Sequence, residues 1–377
     1  MKPAAGRVRS SQRLPAGHAL GAYRIERVLG EGVSGVVYVA EGQTASQRRV
    51  ALKVIHRHLV NDRQISRRFH REASILKQLV CPNLVALLDF GELDDGMLFM
   101  ALELVEGRSL EEIVEKAPLD PLRAVAITKQ ICVALEAAHS ASIVHRDLKP
   151  SNVIVERLDG NEDRARVLDF GMAKVLRGDP TDSLNLLTEQ NMVFGTPEYM
   201  APEQARGDEV DGRCDVYAAG VILYEMLTGT TPFRAPTPVA VMTAQLSDPP
   251  PPPSQQAPAL RLLPALEAVV LHALAKNPRQ RYASARALAD ALDQALVAPI
   301  DVTAVAPVAL ADELATRDTE RLLDVSALLR ERRTGARADA EPAPERAEPG
   351  RRVWLIVAIF GALLGIALGI AASIAKC

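Results

Sequence analysis

Between residues 23 and 55 apolar and polar positions alternate around glycines, a period of two that predicts strands joined by tight turns. The period changes at residue 63. Over 63–79, Ile65, Phe69, Ala73, Leu76 and Leu79 recur at the spacing of one helix face. Further strands are predicted over 84–90 and 97–104. Beyond Gly107 the pattern turns mainly helical, with helices over 121–140 and 213–228. Five consecutive prolines within 248–253 cannot continue a helix, so a loop or extended spacer is expected there. Helical spacing resumes at 264–275, with Pro264 where a helix start tolerates it, and again at 283–296. Strands first and helices later predict an α+β architecture with two lobes, a β-rich one and an α-helical one, over residues 23–297.

The regular pattern fades after residue 297. Residues 298–352, rich in Ala, Arg, Glu and Pro toward their end, read as a juxtamembrane linker. A flexible chain of about 50 residues spans on the order of 40 Å. Within it Leu310, Leu314, Leu322, Val325 and Leu329 form an apolar stripe that Asp318 interrupts. A self-association helix and a transient solvated helix both fit that stripe. Residues 353–375 contain no charged residue and predict a transmembrane helix. Such a helix would be about 34 Å long, against a hydrocarbon core of about 30 Å. A buried core helix is the competing reading. Trp354 stands at one end; Arg351 and Arg352 flank the near side and Lys376 the far side. The positive-inside bias then puts the N-terminal portion on the cytoplasmic side of the inner membrane, as a single-pass protein in contact with the lipid bilayer. Almost nothing is expected beyond the span, only the tail 376–377. Gly361, Gly365 and Gly369 recur every four residues, which suits a homodimer seam, although glycine is common in spanning helices generally. Residues 1–22 are basic and read as a disordered arm rather than a secretory signal.

Composition narrows the functional classes. With 377 residues and 48% hydrophobic positions the chain can bury a full core. Lys and Arg number 44 against 47 Asp and Glu, a formal charge of -3, which gives no case for a nucleic-acid partner. Cys81, Cys132, Cys214 and Cys377 lie far apart with no CxxC pair, so neither a disulfide scaffold nor a zinc site is expected.

Several segments carry candidate chemistry. Gly30-Glu31-Gly32-Val33-Ser34-Gly35-Val36-Val37 has the form GxGxxGxV. Glycines there let backbone amides approach phosphate oxygens. A strand-like run follows where a dinucleotide site needs a helix, which favours a hairpin lid over a nucleotide. Val50-Ala51-Leu52-Lys53 ends in a lysine that either emerges into solvent or aims at the α- and β-phosphates. In the second case it needs a carboxylate partner, and Glu72 on the following helix is the expected one. His145-Arg146-Asp147-Leu148-Lys149-Pro150-Ser151-Asn152 gathers a carboxylate, two cations and an amide oxygen within eight residues. Phosphoryl transfer needs alignment and charge neutralisation more than covalent help. Asp147 can accept the substrate proton, Lys149 can stabilise the migrating phosphoryl group, and Asn152 offers a hard oxygen to Mg²⁺. Asp169-Phe170-Gly171 adds a second metal-binding oxygen donor.

Taken in this order, the motifs resemble those of the eukaryotic-type protein kinases, in a bacterial, membrane-anchored serine/threonine member. The resemblance covers roughly residues 23–296. It implies the bilobal kinase fold, ATP as phosphate donor, Mg²⁺ with Mn²⁺ as a substitute, and protein substrates with Ser or Thr acceptors. It implies that the backbone of the hinge Glu103-Leu104-Val105 reads the adenine edge, with Leu102 as gatekeeper. Leu29, Val37, Ala51 and Ile154 would sandwich the ring. It further implies that Glu203, of Ala201-Pro202-Glu203, pairs with Arg281, that Asp215 braces the catalytic loop, and that His145 is structural. Lys149 and Gly195-Thr196-Pro197 are the serine/threonine forms, with Thr196 bonded to Asp147 and Lys149; Thr196 as a mere turn residue is the competing reading. Arg146 would pair with a phosphorylated activation loop over 169–203. Thr181, Ser183 and Thr188 are acceptors there, and Thr188 stands at the position usually modified in related bacterial enzymes. Cys81 replaces a more usual His, with little expected effect. A membrane-anchored pseudokinase scaffold and a small-molecule kinase are the alternatives. The complete set Lys53, Glu72, Asp147, Asn152 and Asp169 argues against the first, and the segments 195–197 and 201–203 argue against the second.

Overall fold

The alternation over residues 23–55 becomes a run of antiparallel strands. The computed structural model describes residues 13–297 apart from 33, 43–47, 61–62, 94, 159–161 and 171–195. The first strands are β1 (Ala19–Leu20), β2 (Tyr23–Gly32), β3 (Gly35–Gly42) and β4 (Arg49–Ile55); β5 (Leu87–Glu92) and β6 (Leu98–Glu103) follow. Among the described residues they form one sheet in the order β1-β2-β3-β4-β6-β5. In β4 the period of two sorts the side chains. Val50, Leu52 and Val54 pack with Tyr38 and Ile25 on one face, while Ala51 and Ile55 pack with Phe69 and Met100 on the other. Phe69 and Ala73 come from α1 (Arg63–Leu76). Lys53 shares the parity of Ala51 and Ile55, so it points toward the α1 side of the sheet.

Regular structure begins earlier than Tyr23, because Leu20 is apolar and has a place to go. Ala19 and Leu20 pair with Arg24 and Tyr23, Leu20 is buried, and the Leu14 amide donates to the Tyr38 hydroxyl at 3.1 Å. Residues 13–22 therefore lie on the sheet rather than forming part of a disordered arm.

The second lobe is helical. Its elements are β7 (Arg108–Ser109), α2 (Leu110–Val114), α3 (Pro121–Ser140), β8 (Val153–Arg157), β9 (Asp163–Val167), α4 (Pro202–Arg206) and α5 (Arg213–Thr228). After them come α6 (Pro238–Ser247), α7 (Pro253–Gln256), α8 (Pro264–Ala273) and α9 (Ala285–Val297). Strands β7, β8 and β9 form a small second sheet. Helix α3 starts where the sequence says it must, with Pro121 in the first turn and Asp120 accepting from the Leu122 amide at 2.9 Å. Helix α5 is buried all round, which makes it the axis of this lobe. Gly220 makes that packing close, since a Cβ there would stand 2.8 Å from the Ala273 Cβ of α8.

Between the lobes the Val85 amide donates to the Val167 carbonyl at 3.1 Å, and the Val167 amide donates to the Asn83 carbonyl at 2.8 Å. The proline tract ends by starting α7, with Pro253 as its first residue. Among the described residues no helix is long and apolar enough to cross a membrane. The expected span 353–375 with its glycines, the linker and its stripe, the tail, and residues 1–12 all lie outside the described residues.

A buried ion pair closes the lower lobe. Arg281 Nη1 and Nη2 donate to Glu203 Oε1 and Oε2 at 2.6 and 2.7 Å, with side chains 0% and 5% exposed. Arg281 also donates to the carbonyls of Ala275, Arg213 and Lys276. Arg281→Met would strand a buried carboxylate and lower unfolding free energy by about 3–5 kcal/mol in urea titration. Replacing Glu203 by Met as well is expected to restore part of that loss.

Candidate active site

The glycine hairpin is built by register. Gly30 lies opposite Val37 and Gly32 opposite Gly35, with Val33 outside the described residues. The three glycines have different reasons. A Cβ on Gly35 would overlap the Val54 carbonyl, whereas Gly30 and Gly32 face open space. Gly35 is therefore required by the protein's own backbone, and Gly30 and Gly32 leave room for something outside it. His56 steadies the turn, its Nε2–H donating to the Gly32 carbonyl at 3.0 Å and its amide to the Ser34 carbonyl at 3.1 Å. Glu31 is engaged by Arg13 at 2.7 Å. Below the hairpin, Val37 lies opposite Lys53 and Ala51 opposite Leu102. Leu29 is exposed at the rim, Val36 is buried, and Val105 and Ile154 are half-buried.

Lys53 meets Asp169. Its ammonium lies 2.6 Å from Asp169 Oδ2, and the two side chains are 6% and 28% exposed. An ammonium so enclosed requires a carboxylate, and among the described residues the one at ion-pair distance is Asp169, where Glu72 was expected. Glu72 is half-buried on α1 and has interactions of its own. Burial pushes the Asp169 carboxyl up, but Lys53, with His145 and Lys149 nearby, holds it below its ordinary 3.8. Asp169 takes a left-handed backbone, φ 62°, which a non-glycine residue adopts only where its surroundings enforce it.

The catalytic loop stands beside this pair. Lys149 Nζ lies 3.3 Å from Asp147 Oδ2 and donates to Thr196 Oγ1 at 3.2 Å. Lys149 thus joins Asp147 to Thr196. Asn152 Nδ2 donates to the Asp147 carbonyl at 2.8 Å, which orients the amide and leaves Oδ1 as the acceptor. Oδ1 and the Asp169 carboxylate make a pair of hard oxygen donors, the set that Mg²⁺ takes along with phosphates and water.

The loop is hung from α5. Asp215 Oδ2 accepts from the His145 amide at 2.8 Å and Oδ1 from the Arg146 amide at 2.9 Å. His139 Nε2–H donates to Oδ2 at 2.7 Å. Arg146 is left-handed, φ 65°, and its Nε is buried without a hydrogen-bond partner among the described residues. His145 is fully buried, donates from Nε2 to the Leu168 carbonyl at 2.8 Å and packs on Phe170 at 4.6 Å between ring centroids. It holds the loop and faces no reacting group. Gly171, Thr181, Ser183, Thr188 and Gly195 lie outside the described residues.

Sequence reasoning missed three supporting side chains. Arg166 donates to Glu103 Oε2 at 2.5 Å and to the Leu84 carbonyl at 2.8 Å, tying the hinge to the strand that delivers Asp169. Its signal was a charged residue between the buried Ala165 and Val167 of β9. Gln204 donates to the Arg146 carbonyl at 2.8 Å and accepts from the Ala201 amide at 3.1 Å. His139 sits in the last turn of an otherwise regular helix, and nothing in its spacing announced a link to Asp215.

Two lobes thus meet around a glycine hairpin, an enclosed lysine–aspartate pair and a loop that joins Asp147 to Thr196 through Lys149. The chain belongs to the protein kinase domain family, whose model matches residues 23–292. It is 46% identical over 266 residues to serine/threonine-protein kinase pkn3 of Myxococcus xanthus, covering 70% of this chain and 48% of that protein. Over 281 residues it is 41% identical to serine/threonine-protein kinase PknD of Mycobacterium tuberculosis, covering 74% and 40%. The chain thus spans about half or less of the length of these curated relatives. The crystal structure of the Mycobacterium tuberculosis PknI kinase domain superposes with a TM-score of 0.59 at 28% identity, covering 75% of this chain and 100% of that one.

Asp215 gives the site a pH signature. Burial pushes its carboxyl up, but the bond from His139, the nearby His145 ring and the His145 amide hold it below 3.8. A depressed folded value means the contribution is present above 3.8 and lost as pH falls through the folded value. Asp215→Asn is expected to cost about 2–4 kcal/mol at neutral pH and to flatten the acid limb of stability, read by urea titration at stepped pH.

Proposed function

We propose that this chain is a serine/threonine protein kinase that transfers the γ-phosphate of ATP to Ser or Thr hydroxyls of proteins. The observation that carries this reading is the chain Asp147–Lys149–Thr196. It sets a carboxylate, an ammonium and a hydroxyl-bearing loop side by side, opposite the Lys53–Asp169 pair. Asp147 accepts the proton of the incoming hydroxyl. Lys149 neutralises charge on the group in transit, and Lys53 holds the phosphates under the hairpin. Mg²⁺, held by Asn152 and Asp169, supplies further charge neutralisation when bound, and Mn²⁺ suits the same oxygens. The names of the curated relatives support the Ser/Thr class. A pseudokinase scaffold has no need of the complete set Lys53, Asp147, Asn152 and Asp169.

Regulation by activation-loop autophosphorylation belongs to the same reading. The buried, unpaired Nε of Arg146 supports it, as a guanidinium short of one acceptor. A phosphate at Thr188 would add about -1.5 to -2 of charge for that group to meet. The uncharged stretch 353–375, with Arg351 and Arg352 before it, supports a single-pass anchor in the inner membrane with the kinase domain in the cytoplasm. The four-residue recurrence of Gly361, Gly365 and Gly369 supports dimers in which one copy phosphorylates Thr188 of the other.

Two outcomes test this. With Mg²⁺-ATP and a generic basic protein, Asp147→Asn is expected to reduce phosphate incorporation by about 10³-fold or more, given what general-base and electrostatic groups contribute. Equal incorporation by the variant would remove the assignment. Thr188→Ala is expected to reduce activity about tenfold in a preparation previously incubated with ATP. Full activity in that variant would remove the regulatory part and leave the transferase standing.

A further inference from the structure

Helix α6 carries an amide where its packing calls for an apolar side chain. Val241 and Gln245 stand four residues apart on its inward face, and Gln245 is fully buried. Burying a long polar side chain is unfavourable unless its groups are paired. Here they are paired with unusual selectivity. Gln245 Nε2 donates to the Glu198 carbonyl at 2.6 Å and to the Pro197 carbonyl at 3.3 Å. Its Oε1 accepts from the Tyr217 hydroxyl of α5. The amide cannot turn over without setting its oxygen against two carbonyl oxygens. The helix end is fixed as well. Lys276 Nζ donates to the carbonyls of Ala244 at 3.2 Å and Gln245 at 2.8 Å, and lies 3.9 Å from the centre of the Phe233 ring.

Pro197 and Glu198 directly follow Thr196, the residue whose hydroxyl accepts from Lys149. Both amide protons of one buried side chain are therefore spent on the two residues after the loop's contact with the catalytic lysine. Thr196 contributes no side-chain cap to the short 3₁₀ turn Pro197–Tyr199, so the carbonyls of Pro197 and Glu198 are met by Gln245 instead. Tyr199 is tied on its far side to Glu225 Oε2 at 2.6 Å.

We propose that Gln245 is a positioning residue for the protein substrate, setting the height of the 196–199 turn against Asp147 and Lys149. The proposal rests on the kinase reading above. Gln245 lies on α6, in the helical lobe, and none of its hydrogen bonds reaches the hairpin, Lys53 or Asp169. Its loss is read in substrate peptide and not in ATP.

The test uses the full chain, a Ser-containing peptide, and ATP hydrolysis without peptide as the internal control. Gln245→Met keeps length and volume but removes both donors. It is expected to raise the peptide KM about tenfold, with the ATP KM and peptide-free hydrolysis within about twofold. Gln245→Glu is expected to behave the same way, because a carboxylate donates nothing to the two carbonyls; a space-filling role would spare the Met variant. An unchanged peptide KM in folded Gln245→Met overturns the proposal. Should that variant not fold, Tyr217→Phe decides. It keeps the amide donors but frees them to swing, and is expected to raise the peptide KM about threefold. An unchanged value there overturns the proposal as well. Wild-type protein that phosphorylates no peptide defeats the kinase reading, and this inference with it. Wild-type activity matched by the variants defeats this inference alone.

Discussion

A single carboxylate sealed inside the helical lobe determines what the rest of the site can do. Asp215 sits on a helix buried on every side, and it spends its oxygens on two consecutive backbone amides and a histidine. Those amides belong to His145 and Arg146, immediately before Asp147. The strained backbone at Arg146 persists because the carboxylate holds both neighbouring amides. Remove the charge, and the loop has no reason to present Asp147 outward. An ionised group so deeply buried is tolerated only because every partner around it is a donor.

From that anchor the site extends in two directions. Upward, β9 delivers Asp169 to Lys53, and Arg166 fastens the same strand to the hinge through Glu103. Asp169, its partner Lys53 and the hinge residue Glu103 are thereby referred to one strand. Downward, Lys149 touches Thr196, and the segment after Thr196 is secured by neutral amides and a buried ion pair. The upper half relies on ion pairs, Lys53 with Asp169 and Arg166 with Glu103. The lower half combines the Arg281–Glu203 pair with hydrogen bonds to backbone carbonyls, which fix position.

Much of this could be read from the chain before any coordinates. The helices 121–140 and 213–228 were bounded by Pro121 and by the glycine at 229, signals that local chemistry fixes. The contacts of Asp215 with the loop, of Glu203 with Arg281 and of Thr196 with Lys149 were what the kinase resemblance implied. Other features depended on partners far along the chain. Lys53 was expected to meet Glu72 because α1 follows in sequence, yet the carboxylate beside it comes from residue 169. Helix α6 was not expected: its apolar face is short, and the proline tract after it dominated the local pattern. Gln245 and Gln204 look like ordinary surface glutamines until tertiary packing buries one and turns the other toward Arg146. Residues 19 and 20 were assigned to an arm because two residues are too few to show a period, while pairing with β2 makes them a strand.

The central claim is that this site moves the terminal phosphate of ATP directly onto an aliphatic hydroxyl. Parallel reactions with γ-labelled and α-labelled ATP, followed by acid hydrolysis of the labelled polypeptide and separation of its phosphoamino acids, test it most directly. The account predicts label from the γ-position alone, recovered as phosphoserine and phosphothreonine. Transfer of the α-label, recovery as phosphotyrosine, or no stable label with Mg²⁺ or Mn²⁺ supplied would contradict it.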